Sequence, residues 1–220
     1  MSEASEFWSA VAPRYDRVVD AQIGPGMRER VRARLEKEGL LGRVVELGCG
    51  TGFFTGVLAQ RAESVVASDL SPGMVEVARS AVRAPNVRFQ CEDCERTSFA
   101  DAAFDTAFVS LVLHFTRPEL AVRELARILR PGGMLIVANL GARELSGVSR
   151  LRAQVRILFQ GVTGYRRRPP PGLGRSVLRA GELRALLERT GFAVTDLETL
   201  RDRMHSSTIP IDYLRAVKAP

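Results

Sequence analysis

The residues of this chain with chemistry to offer begin at Val44–Gly52, which reads Val-Val-Glu-Leu-Gly-Cys-Gly-Thr-Gly. Val44, Val45 and Leu47 have the pattern of a buried strand, and the glycines that of the turn that ends it. Phe53–Arg61 then reads as a helix. A glycine turn between strand and helix lets a ligand approach the backbone closely and aims the helix N-terminus at that ligand. Two acids, Asp69 and Asp93, and the chain's two histidines, His114 and His205, follow. A carboxylate can accept hydrogens from a bound molecule, and an imidazole titrates near neutrality.

Three kinds of glycine turn compete for this pattern. A phosphate-binding loop needs Lys and then Ser or Thr after its last glycine, but Phe53 and Phe54 stand there. A dinucleotide fingerprint, GxGxxG, would use Gly48, Gly50 and a glycine at position 53, where Phe53 is too bulky for close helix–strand packing. What remains is Glu46-x-Gly48-x-Gly50-x-Gly52. Cys91 and Cys94 form a CxxC with no second pair and no paired histidines, so no metal site is expected. With Cys49 the cysteines number three, too few for a disulfide framework.

The elements that must position these residues alternate. After the first strand come strand patterns at Ser64–Ser68, Asn86–Cys91, Phe104–Leu113 and Met134–Ala138, and helical ones at Gly73–Val82 and Pro118–Leu129. The strands are continuous apolar runs without a polar face, as in a parallel sheet covered on both sides. Right-handed crossovers make that a doubly wound sandwich with ligands at the C-terminal strand ends. Asp69 ends the second strand, Asp93 lies just past the third and His114 follows the fourth. Upstream, Phe7, Trp8, Val11 and Tyr15 recur at helical spacing interrupted by Pro13, and Met27–Glu38 is amphipathic and closed by Gly39. Downstream, Ser149–Val162 places Leu151, Val155, Leu158, Phe159 and Val162 on one helical face, and a stiff basic loop, Arg166–Gly172, follows. A helix at Glu182–Arg189, ended by Gly191, and strands at Phe192–Leu197 and Thr208–Val217 complete the chain.

At 220 residues one domain is the default, and 45% apolar with 26% charged residues is the composition of a soluble globular protein. Met1–Phe7 carries two acids and no apolar run, so no signal peptide is expected, and no apolar stretch is long enough to span a bilayer; the expected location is the cytoplasm. The net charge of +7 is concentrated: Gly141–Ala180 holds nine arginines and one glutamate, +8, which leaves the remainder at about −1.

Together these features resemble the class I S-adenosylmethionine-dependent methyltransferases. Glu46–Gly52 resembles the family's motif I, and Asp69, about twenty residues on, its ribose-binding acid. Asp93 matches the acid that contacts adenine, Asp101–Asp105 resembles motif IV, and Glu124–Gly133 resembles the helix and turn that follow. The matches run in order from Val44 to Ala138. The resemblance implies an α/β fold: a doubly wound, Rossmann-like, seven-stranded sheet, mostly parallel with an antiparallel last strand and helices on both faces. It implies one domain, with an N-terminal helical lid (1–42), a cofactor-binding core (43–140), a basic helical insert after the fifth strand (141–179), and a C-terminal helix with two strands (180–220).

The implied cofactor is S-adenosyl-L-methionine, with no metal. Gly48, Gly50 and Gly52, with Cys49 among them, would form the turn against its methionyl part, and Glu46 would organise that turn. Asp69 would hold the ribose, with Leu70 and Met74 against the adenine. Asp93 would accept from the adenine amino group, with Cys94 beside it, and Ser110 would offer backbone near the donor's amino group. Glu46 and Asp105 as capping or salt-bridge acids, and Met74 as plain core, are the alternatives. The reaction would be an in-line displacement at a sulfonium methyl, for which the protein supplies alignment and a water-poor pocket. Where the acceptor must lose a proton, His114 is the candidate base, with His205 and Tyr15 behind it and Tyr213 as a weaker choice; a structural histidine capping the strand is the competing assignment for His114.

The acceptor would be shaped by Phe7–Arg28 and Ser149–Gly174. The insert's apolar face implies a hydrophobic or aromatic small molecule methylated at O, S or N. Carbon methylation of a lipophilic quinone-like acceptor, RNA methylation through the basic segment, and cofactor binding without catalysis stay open. The expected partner is a small-molecule acceptor, with no nucleic acid and no stable membrane insertion; oligomeric state is left open.

Overall fold

The computed structural model describes residues 2–24, 26–141, 177–201 and 209–220. Ser149–Val162, Arg166–Gly172 and His205 lie outside the described residues. The chain opens with α1 (Glu3–Val11), a 3-10 turn (Ala12–Arg14), α2 (Tyr15–Ile23) and α3 (Met27–Leu35). Pro13 has no N–H to give an α-helical ladder, so the chain tightens into the 3-10 turn and restarts as α2. Then follow β1 (Gly42–Leu47), α4 (Thr55–Arg61), β2 (Ala62–Asp69), α5 (Pro72–Ala81), β3 (Val87–Cys91) and β4 (Phe104–Ser110). A 3-10 turn (Leu113–Phe115), α6 (Pro118–Ile128), β5 (Leu129–Leu140), α7 (Ala180–Arg189), β6 (Phe192–Leu200) and β7 (Ile211–Lys218) complete the order.

The seven strands form one sheet in the order β3-β2-β1-β4-β5-β7-β6. The first five are parallel to one another, and β7 runs antiparallel to both β5 and β6. Successive strand residues face opposite sides, so two cores form. Val44, Phe108, Ile136 and Tyr213 pack with Met27, Val31 and Leu35 of α3 and with Val57 and Leu58 of α4. Val45, Val109, Val137 and Leu214 pack with Leu125 and Ile128 of α6 and with Leu183 and Leu187 of α7.

Most element boundaries shift by one to three residues from the sequence expectation, and three of the shifts have a visible cause or consequence. Strand β4 stops at Ser110 instead of Leu113, because Leu111 turns into the left-handed region (φ 56) while its N–H donates to the Ala138 carbonyl at 2.8 Å. Strand β5 starts at Leu129, directly out of α6, and absorbs Pro131–Gly133 as an irregularity opposite Phe104–Thr106. Helix α3 ends at Leu35 and not Glu38. Glu38 is instead buried, accepting from the Tyr213 hydroxyl at 3.1 Å and from Arg34 at 2.6 Å. Arg34 also pairs with Asp196 and Glu198 and lies over the Tyr213 ring, which fastens α3 to β6 and β7.

Asp105 lies at the N-terminal end of β4, away from the ligand end of the sheet. It accepts from the Arg43 backbone N–H at 2.8 Å, Arg43 Nε at 3.0 Å and Arg130 Nε at 2.6 Å. It is a salt-bridge acid. The Arg43 guanidinium holds its carboxyl well below the usual range, against an opposing effect of burial. A depressed carboxyl contributes stability that is present at neutral pH and lost as pH falls below about 4. Asp105→Asn is therefore expected to lower the unfolding free energy at pH 7 and to do so less at pH 3, as read from urea unfolding at the two pH values.

Candidate active site

The strand order reverses between β1 and β4: the chain walks outward through β2 to β3, then returns to the far side of β1. Open α/β sheets bind ligands in the crevice at such a point, outside the carboxyl ends of the strands. Gly48 leaves β1 there and Val112 follows β4. Gly48 has φ +75, and a Cβ on it would lie 2.1 Å from Val112 Cγ2. A larger residue here would be strained by its backbone angle and would force the Val112 side chain to shift.

Beside this contact opens a cleft of about 470 Å³, within the size range of small-molecule sites. Its floor is Gly48, Gly50, Asp69, Leu70 and Met74; its far wall is Glu92, Asp93, Cys94 and Glu95. Leu111, Val112, Phe115, Thr116 and Arg117 close one side, and Ser2, Ala4, Trp8 and Tyr15 cover it from α1 and α2. A Cβ on Gly50 (φ +55) would come within 3.2 Å of Tyr15 Cε1, so the tyrosine ring sits directly on the turn. Trp8 meets Phe115 edge-on at 4.8 Å and Tyr15 at 6.1 Å.

Asp69 joins the two loops at the floor. Its Oδ2 accepts from the Gly50 N–H at 3.0 Å and its Oδ1 from the Ser71 N–H at 2.9 Å. Burial pushes this carboxyl up, and the backbone donors pull the other way. Ser71 also caps α5 by accepting from the Met74 N–H at 3.1 Å, which brings Met74 beneath the cleft.

Several sequence candidates sit behind this surface and do not line it. Glu46 is buried under the turn, where the Thr55 hydroxyl donates to it at 2.6 Å. Burial pushes Glu46 up to about 8 despite that hydrogen bond, so it is largely protonated at neutral pH. Cys49 belongs to the core. Gly52 faces α5, where a Cβ would meet Val82 at 3.0 Å. Ser110 Oγ is buried with no hydrogen-bond partner among the described residues. Burial pushes the Cys94 thiol, on the cleft wall, up to about 12. Tyr213 Oη is engaged with Glu38, far from the role of base.

His114 is also outside the cleft lining. It is 8% exposed, its ring lies against Phe115 at 3.9 Å, and its Nδ1 has no partner among the described residues. The residues that sequence reasoning missed are Leu111, Val112, Phe115, Thr116 and Arg117, together with Glu92 and Glu95. They occupy loops, and only their position after β3 and β4 marks them. Burial lowers the His114 pKa to about 4. Between pH 6.5 and 4 the unfolded chain then binds a proton that the folded chain refuses, so this group's contribution is present above pH 6.5 and lost across that window. His114→Gln is expected to flatten the fall in stability between pH 6.5 and 4. In the wild type the His114 ring resonances should stay unshifted between pH 8 and 5 by NMR.

The sequence model of a methyltransferase domain matches residues 45–137, the stretch that carries the glycine turn and the acids. A biotin biosynthesis bifunctional protein from Cellvibrio japonicus is 35% identical over 69% of this chain and 30% of its own length. A ubiquinone biosynthesis O-methyltransferase from Xanthomonas axonopodis is 29% identical over 99% of this chain and 90% of its own. The chain spans between 30% and 64% of the length of the first three curated relatives it matches. Among solved structures, the Haloferax volcanii complex of the Trm112 methyltransferase activator with a methyltransferase aligns with a TM-score of 0.75 and 19% identity, covering 99% of this chain and 98% of the other. That likeness concerns the fold. Sheet order, glycine turn and strand-end acid agree with the domain match, and residues 45–137 resemble the methyltransferase domain of the class I S-adenosylmethionine-dependent enzymes.

Proposed function

We propose that this chain is an S-adenosyl-L-methionine-dependent methyltransferase that delivers the methyl group to a heteroatom of a hydrophobic or aromatic small molecule. One observation carries this: a single cleft at the reversal of strand order gathers Gly48, Gly50, Asp69, Leu70, Met74 and Asp93 under an aromatic cover. The residues present fit the donor. The turn presents Gly48 and Gly50 at the cleft surface with no side chain between backbone and ligand, and Asp69, anchored by two N–H groups, has lone pairs left for ribose hydroxyls. Leu70 and Met74 would flank the adenine, and Asp93 would accept from its amino group. When bound, S-adenosyl-L-methionine supplies a sulfonium methyl open to displacement.

What this chain contributes is alignment and exclusion of water. Trp8, Tyr15 and Phe115 cover the cleft with flat apolar faces suited to an aromatic acceptor. Orientation of two reactants contributes roughly 7–11 kcal/mol in favourable cases. His114, with its pKa lowered to about 4, is too weak a base to lead at neutral pH. The O-methyltransferase relative, aligned over 99% of this chain, supports oxygen as the accepting atom and makes a quinone-like ring the second reading of the acceptor. No helix among the described residues is long and apolar enough to cross a membrane.

Titration calorimetry with S-adenosylhomocysteine tests the donor site. Wild type is expected to bind, and Asp69→Ala to bind at least about tenfold more weakly, since hydrogen bonds to a charged group are lost. Equal affinity would put the cleft assignment in error. Methyl-transfer assays with phenols, thiols, amines and RNA then identify the acceptor; binding without turnover on any of these classes would mark a sensor and not an enzyme.

A further inference from the structure

Two consecutive residues of α2 grip two consecutive residues of the glycine turn. The Tyr15 ring rests on Gly50, and the Asp16 carboxylate accepts from the Thr51 hydroxyl at 2.8 Å. The same Asp16 oxygen takes Arg28 Nη1 at 2.6 Å. Arg28, only 7% exposed, binds Asp20 through Nε and Nη2, both at 2.9 Å, and its guanidinium lies 4.2 Å over the Phe53 ring. So α2, α3, the turn and the residue after it are joined through one buried cation. The other end of the cover is tied down separately: Ser5 Oγ donates to the Leu70 carbonyl at 3.1 Å, and Ser9 Oγ is 2.8 Å from Ser71 Oγ.

We propose that Thr51 and Asp16 are positioning residues, a latch that holds the N-terminal cover against the glycine turn and so sets the affinity for the methyl donor. The proposal rests on the reading that the cleft holds that donor. Thr51 is not one of the residues that line the cleft; its hydroxyl is committed to Asp16, and both residues line a separate hollow. Gly50 belongs to the cleft and Thr51 is its neighbour, so whatever fixes Thr51 fixes the backbone that must stay close to the ligand. The same bond keeps Tyr15 and Trp8 over the cleft. Arg28 retains both bonds to Asp20 when Asp16 is removed, so loss of Asp16 strands no buried charge.

The test uses Thr51→Val, which keeps shape and loses the hydroxyl, Asp16→Ala, the double variant, and Thr51→Ser, which restores the donor. Trp8 is the chain's single tryptophan and part of the cover, so its emission reports how the cover sits. Each single variant is expected to bind S-adenosylhomocysteine about tenfold more weakly by calorimetry, the double variant no more weakly than the singles, and Thr51→Ser like wild type. Trp8 emission of the ligand-free Thr51→Val and Asp16→Ala proteins is expected to shift in the same direction. Wild-type affinity in both single variants, additive losses in the double variant, or a Thr51→Ser protein as weak as Thr51→Val would overturn the latch. Failure of wild type itself to bind S-adenosylhomocysteine would instead overturn the donor reading. The latch is then judged on Trp8 emission alone: a shift in both single variants supports it, and none in either rejects it.

Discussion

The carboxylate of Asp69, held between the N–H groups of Gly50 and Ser71, is the constraint on which the rest of the cleft depends. It closes two loops from different strands around one charged group. Burial raises the cost of that charge, and the two backbone donors offset it. The arrangement carries Gly50 at φ +55, and it needs β1 and β2 parallel and in register, with Leu47 opposite Ser68. Both Gly48 and Cys49 donate to the Ser68 carbonyl at 2.8 Å, so the turn is stitched to β2 at three successive N–H groups. A ligand at the turn meets three N–H groups that are already tied to β2.

The cover depends on that floor as much as the floor depends on the sheet. Helix α1 reaches the β2–α5 loop through Ser5 and Ser9, and a Cβ on Gly73 would lie 2.8 Å from Ser9 Cα, so the two segments touch backbone to backbone. Helix α2 reaches the glycine turn through Tyr15 and Asp16, and α3 carries the buried Arg28 and is fixed to β6 and β7 by Arg34. Helices α1, α2 and α3 thus form a strap between both loops beside Asp69 and the antiparallel edge of the sheet, instead of a cap attached by one hinge.

Much of this was legible in the sequence because it follows from local rules. The apolar runs, the glycines and the alternation of elements specify a parallel sheet, and Asp69 announces itself by ending a strand. The less legible features arise from tertiary contact. Leu111 ends β4 by a left-handed turn that no glycine advertises, and the loop it starts supplies a whole side of the cleft. Glu46 reads as a site acid from its place beside the glycines, yet the side-chain alternation of β1 sends it inward to Thr55. Asp105 reads as motif chemistry, but its strand end is the wrong one, and Arg43 and Arg130 claim it. The Asp16–Arg28 cluster joins residues whose sequence spacing carries no motif at all.

Charge around the cleft has a direction of its own. The chain carries a net +7, yet among the described residues the cleft is lined by Asp69, Glu92, Asp93 and Glu95 against one cation, Arg117, which Glu95 already holds at 2.5 Å. Glu46 behind the turn is largely protonated, Cys94 on the wall keeps its proton, His114 is neutral above about pH 4, and the buried Arg28 is paired with Asp16 and Asp20. Such a lining attracts a cation and, in a partly dry site, holds it more tightly than a neutral molecule of the same shape. For a sulfonium donor the consequence is asymmetric. The field that favours entry of the charged form loses its hold once the methyl group has left and the remaining thioether is neutral. A donor held by these acids would therefore exchange more readily in its spent form, without any movement of the floor that Asp69 fixes.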